Sequence, residues 1–223
     1  MTRRSFSKHR RRSRVAFTLV ELLTVITVVG SLLVITIPVA QSARARADAA
    51  QCVSNLRQIG TALLGFASES DGILPLAGTT IRRGEIDSAT QKPPWTEQIA
   101  AYLGDDWRVF LCKTTARHLP SNRDFGYFLG ARAAFLAEGQ AAPVRLSRIA
   151  NASRFILSGD SVSSVFPSDD ADKDDYSIAC PFSGPRPHGG KSNILFADGS
   201  VRAYANFSPA EMEFSYDGQG SYD

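Results

Sequence analysis

FTLVELLTVITVVGSLLVITIPVA, residues 17–40, decides the reading of this chain. It is predominantly apolar and carries one charge, Glu21, near its start. As a helix its 24 residues extend roughly 36 Å, enough to cross a bilayer core of about 30 Å. Before it lies a basic stretch with Arg3, Arg4, Lys8, Arg10, Arg11, Arg12 and Arg14 and no acid. Basic residues stay on the cytoplasmic side of a membrane, so the N-terminus is expected inside and the C-terminal bulk outside. Only Arg44 and Arg46 closely follow the span. A cleavable secretory signal has a shorter apolar core and no acid in it, although Val39-Ala40 offers a cleavage site of that kind.

The basic stretch also distorts the overall charge. The chain carries 25 Lys and Arg against 22 Asp and Glu, formally +3. The leader holds seven of those cations and no acid, which leaves 18 basic against 22 acidic residues, net −4. A mildly acidic chain gives no basis for nucleic-acid binding, and RRRSR beside an apolar span reads as a topology signal.

Beyond Pro38, which removes an N–H from the helix and is expected to kink it, the pattern turns amphipathic. Val53, Leu56, Gly60, Leu63, Leu64 and Ala67 form a stripe, with Asn55, Arg57, Gln58 and Thr61 largely off it. Asp71-Gly72 is a stop signal. The expected organisation is a leader at 1–16, a long helix at 17–71 that spans the membrane over 17–40, and a globular domain at 72–223.

Within that domain, Trp95–Leu103 reads as a short helix ended by Gly104. Val109–Cys112, Phe125–Leu129, Val144–Ile149 and Arg154–Ser158 read as strands, though 144–149 also suits a helical turn. Residues 113–124 and 167–190 read as loops, and the tail after Phe207 as loose. Asn193–Phe196 and Val201–Tyr204 flank Ala197-Asp198-Gly199-Ser200, a hairpin signal. The expected fold class is α+β: a long N-terminal transmembrane helix packed on a small antiparallel β-sheet.

Ala16-Phe17-Thr18-Leu19-Val20-Glu21 resembles the N-terminal signature of type IV prepilins and type II secretion pseudopilins. The resemblance implies cleavage between Ala16 and Phe17 by a prepilin peptidase and methylation of the new amine. It makes Glu21 the fifth mature residue. Ala16 departs from the Gly usual there. A carboxylate in an apolar span is costly unless paired, and a neighbouring subunit's free amine is a natural partner.

HGGKSNILFADGSV, from His188 to Val201, places His188 ten positions before Asp198-Gly199. It resembles the C-terminal signature of a pilin-like, prepilin-processing-associated family named for that spacing. CVSNLRQIGTALLGFASESDGILP and RIANASRFILSGDS resemble its other segments, while Lys113-Thr114 and Ser200 depart from it. The fold of that family agrees with the one read from the residues.

These resemblances imply a pilin-like structural subunit, not an enzyme. Its implied partners are prepilin peptidase, other pilin-like subunits and the inner membrane, with its domain extracytoplasmic. The alternative is an anchored ligand-binding or adhesive module that does not polymerise; a third reading is an anchored hydrolase using His188 and Asp198. No nucleophile is placed by motif, and structural roles suffice for both residues. No cofactor is required. The loop SDDADKDDYS alternates Asp170, Asp172 and Asp174 as calcium ligands do, with Asp160 as a further candidate. However, Asp175 and Pro181 stand where an EF-hand needs Gly and Glu. Three cysteines form neither a dense disulfide framework nor a CxxC site. Cys112–Cys180 is the expected pair, because both lie in the globular part and Cys52 lies on the helix.

Overall fold

The computed structural model describes residues 18–77, 81–119, 124–140, 142–162, 164, 166–175, 179–186 and 188–216. The leader and the Ala16–Phe17 junction lie outside these residues, as do the side chains of Asp174 and Cys180. The chain is α+β. Helix α1, Leu19–Glu69, runs through Pro38 without interruption. It ends where Asp71 and Gly72 take positive φ and the Gly72 N–H reaches back 2.8 Å to the Ala67 carbonyl. Two compact units divide inside this helix, at Arg44–Ala45 rather than at its end.

The second unit closes a core around the C-terminal half of α1. Cys52, Leu56, Ile59, Leu63 and Ala67 are buried with Tyr127, Leu129, Leu157 and Leu195 of the sheet. Asn55, expected off the stripe, is buried on it. Its Nδ2 donates to the Leu111 carbonyl at 3.1 Å, which satisfies a polar group that burial alone would penalise.

The sheet has five strands: β1 Tyr127–Gly130, β2 Ile156–Asp160, β3 Asp174–Asp175, β4 Ser192–Phe196 and β5 Val201–Tyr204. Their order is β3-β1-β2-β4-β5. The four longer strands are antiparallel, and the two-residue β3 joins β1 in parallel at the edge. Alternation along the strands sends Tyr127, Leu129 and Leu195 toward α1 and Phe128, Ile194 and Phe196 to the other face. Met212 and Phe214 cover that second face, so 212–216 is buried core and not part of a loose tail. It is tied in by backbone bonds from Glu213 to Arg154 and from Ile156 to Glu213.

Other expectations need correction. Val109–Cys112 is not a strand. Trp107–Phe110 is a 3₁₀ turn capped by the Asp106 side chain, and Lys113–His118 is α2 in what read as loop. Trp107 and Phe110, three apart, pack with tilted rings and centroids 5.5 Å apart, a contact a strand could not make. Trp95–Gln98, α3, continues as a 3₁₀ turn to Leu103 and ends at Gly104, as expected. Arg132–Glu138 is α4. Val144–Ile149 contributes one isolated bridge, Arg145 to Ile73, and a 3₁₀ turn. The loop over 167–190 holds α5, Ala179–Phe182.

A two-residue Asp-Gly hairpin turn has positive φ at both central residues, and the β4–β5 turn does not. Only Gly199 has positive φ, at 80°; its N–H bonds the Phe196 carbonyl and the Phe196 N–H bonds the Ser200 carbonyl. This is a type I turn followed by a left-handed glycine, a different solution to the same hairpin. At Gly130 the constraint is space: a Cβ would lie 2.6 Å from the Ile156 carbonyl oxygen of the neighbouring strand. Gly130→Ala is therefore expected to cost about 1–3 kcal/mol of stability, as overpacking does. A urea-unfolding midpoint equal to the parent's would contradict that.

Candidate functional site

Two regions carry the residues singled out above. The first is the N-terminal stretch of α1. Every Leu, Val and Ile from Leu19 to Val39 is at least 48% exposed. It is the one helix among the described residues long and apolar enough to cross a membrane. Glu21 stands at its start with a local role the sequence reading missed. The Thr18 N–H and hydroxyl donate to Glu21 Oε2 at 2.9 and 2.7 Å, and the Glu21 N–H donates back to Thr18 Oγ1 at 3.2 Å. This is a capping box, and Thr-x-x-Glu before an apolar run was its signal.

The second region lies where α1, the start of α2, the end of β2 and the loop before β4 meet. Cys52 is bonded to Cys112, with Cα atoms 5.2 Å apart. The expected Cys112–Cys180 pair is thus replaced. Cys52 is on the helix, but on the buried stripe that faces the domain, and Cys112 leads into α2 directly opposite. His188 Nε2 lies 3.2 Å from Cys112 Sγ and 3.3 Å from Asp160 Oδ2. Asp160 ends β2, and its Oδ2 also accepts from the Asn193 N–H at 2.7 Å and Nδ2 at 2.9 Å. Tyr127 donates to the Cys52 carbonyl at 3.2 Å, and burial raises its pKa well above the usual value.

His188 and Asp198 therefore have separate partners. Asp198 is exposed in the hairpin turn, where Oδ1 accepts from the Ser200 N–H at 2.8 Å. The carboxylate at His188 is Asp160, which no spacing rule had joined to it. The acidic loop is also more internal than a solvated loop. Asp170 and Asp172 are buried; Asp170 Oδ1 accepts from the Asp172 N–H at 3.0 Å and Asp172 Oδ1 from the Trp95 N–H at 2.6 Å. Asp160 is bound at β4 instead. A separate open cleft of about 520 Å³ is lined by Arg82, Arg83, Trp107, Arg108 and Asp169 among others. Its cations are engaged: Arg82 with Asp169, Arg83 over the Trp107 ring and Arg108 with Asp106.

At 3.3 Å an ion pair would favour a charged His188 and Asp160. Burial opposes charge on both and wins. Desolvation pushes Asp160 up to about 7, against hydrogen bonds from Asn193. Desolvation, helped by His118, pushes His188 down to about 4. The consequences for stability have opposite signs. Between about pH 4 and 7 the folded chain keeps the Asp160 proton that the unfolded chain loses, so this group's contribution falls as pH rises. Between pH 6.5 and about 4 the unfolded chain gains a His188 proton that the folded chain refuses, so that contribution falls as pH drops. Stability of the parent is expected to be nearly flat where the two overlap. In His188→Ala it should fall steadily from about pH 4 to 7, by on the order of 4 kcal/mol. In Asp160→Asn it should rise from about pH 4 to 6.5. Urea midpoints across this range check both slopes, and parent-like profiles in both variants would refute the assignment.

In comparisons with known proteins, no family model, curated protein or solved structure matches the chain.

Proposed function

We propose that the chain is a pilin-like or pseudopilin-like subunit. Prepilin peptidase cuts it between Ala16 and Phe17, and it then assembles into a type II secretion or type IV pilus-like filament. Before assembly it sits in the inner membrane with its N-terminus cytoplasmic and its domain extracytoplasmic. The observation that carries this reading is the exposure of the whole apolar stretch from Leu19 to Val39 in a helix that continues into a well-packed domain. Burying each large aliphatic side chain is worth about 1.5–3 kcal/mol, so so many left bare require another apolar environment. Lipid supplies one, and a bundle of identical helices supplies the other.

Glu21 has a part in both environments. The capping box satisfies the first turn of the helix and holds the carboxylate at its N-terminal end. There it can accept a neighbouring subunit's amine and set the stagger between helices. The alternative, an anchored module that binds a ligand without polymerising, would use the Arg83–Trp107 cleft.

Disulfide cross-linking of staggered cysteine pairs introduced along 19–39 of Cys180→Ser, in native membranes, separates the two. A subunit gives dimers and higher ladders from one helix face, and Glu21→Ala should abolish the ladder while the chain stays in the membrane. A lone anchor gives monomers at every position, which would reject assembly.

A further inference from the structure

The proposed assembly gives no task to the group at His188, and its chemistry is specific. Cys52 Sγ, Cys112 Sγ and one ring nitrogen of His188 all lie within 4.8 Å of one another. They come from a helix, the cap of a second helix and a loop, so the fold, not local sequence, converges them. Both cysteines are buried, and the His188 side chain is 4% exposed. His188 Nδ1 and Asp160 Oδ1 are buried and have no hydrogen-bond partner among the described residues. Two sulfurs and an imidazole in a closed, partly unsatisfied pocket are the donor set of a tetrahedral zinc-class ion.

We propose that the dithiol form of the Cys52–Cys112 pair, together with His188, binds one zinc-class divalent cation. The site and the disulfide exclude each other, because the same two sulfurs make both. A dithiol or phosphine reductant opens the S–S bond and is itself oxidised, leaving two thiols. The metal displaces their two protons and takes both thiolates and the neutral imidazole. Asp160, 3.3 Å from the ligating nitrogen, is the nearest group for the fourth position. The chain thus has two covalently distinct ways to tie α1 to the segment at 112, one oxidised and one metal-loaded. This inference stands whether or not the chain polymerises.

The test uses the full chain in detergent, as Cys180→Ser so that only two thiols remain. After reduction and anaerobic removal of the reductant, cobalt(II) is titrated in. The expected result is thiolate-to-cobalt charge-transfer absorption and tetrahedral d–d bands saturating at one ion per chain, displaced by zinc. The oxidised chain should show neither. His188→Ala should weaken binding by at least about tenfold, the loss that even an outer partner of a ligand causes. His118→Ala, a nearby exposed histidine outside the set, should bind like the parent. If reduction alone unfolds the chain by circular dichroism, zinc should restore its fold. A folded reduced chain without charge transfer would overturn the proposal. So would an unfolded one that zinc does not rescue, or His188→Ala binding as tightly as the parent.

Discussion

Replacing Cys52 or Cys112 by Ser is expected to remove about 4 kcal/mol of stability, and replacing Cys180 is not. The bond spans 60 residues of sequence. Closing a loop of that size in the unfolded chain costs about 4 kcal/mol of entropy, so the cross-link makes unfolding less favourable by that amount. Its place adds to the effect: it fastens the buried stripe of α1 to the segment that carries Phe110 and α2, both parts of one core. In a domain of this size the loss corresponds to roughly 8–16 °C in Tm. The comparison is made on the full chain in detergent with a chelator present, by thermal and urea unfolding. The Cys112–Cys180 pairing suggested by position along the chain gives the opposite ranking, with Cys52→Ser harmless and Cys180→Ser costly. That ranking would refute the pairing described above.

Trp95→Ala is expected to cost about 3–5 kcal/mol, the range for emptying a buried large aromatic. Trp95 is 0% exposed and sits edge-on to Phe110 with centroids 5.7 Å apart. Its Nε1–H donates 2.9 Å to the Lys173 carbonyl, and its backbone N–H donates to Asp172. The next residue repeats the connection, Thr96 Oγ1 donating 2.8 Å to the Ala171 carbonyl. Removal of the indole thus leaves a cavity and takes from the Lys173 carbonyl one of its donors, the other being the Leu129 N–H at 2.9 Å. Lys173, whose Nζ donates 2.6 Å to the Phe125 carbonyl, is buried beside it. Trp95→Phe keeps a six-membered ring and loses the smaller ring with its donor, so about 1–3 kcal/mol is expected. Equal losses in the two variants would mean that the cavity contributes little. A loss below about 1 kcal/mol in Trp95→Ala would remove Trp95 from the core of this account.

How much of this was legible in the residues depends on range. The apolar run, the buried stripe through Leu56 and Leu63, the stop at Asp71-Gly72 and the Asp198-Gly199 hairpin are local signals, and each lies where its period or turn chemistry puts it. Trp107–His118 was misread because Val109–Phe110–Leu111 is β-prone by composition, while an Asp106 cap and ring contacts made only after folding decide for helical turns. The acidic loop was misread because its charges suggest solvent, yet Asp172 and Lys173 serve Trp95 and Phe125, some 77 and 48 residues away in sequence. The candidate site was half legible. His188 was singled out by its spacing to Asp198, but its contacts are with Asp160 and Cys112, which only the sheet register and the helix face bring near. Cys52 was set aside for being on the helix, which overlooked that its position falls on the stripe facing the domain.

The most direct test of the central reading is the chemical identity of the N-terminus, read by mass spectrometry on the protein from its native membrane. The account expects a chain that begins at Phe17 with an N-methylated amine, cut after Ala16. An intact basic leader would leave a simple membrane anchor, and a chain beginning at Gln41 would mean an ordinary secreted protein. Either of those results would contradict assembly through the apolar helix.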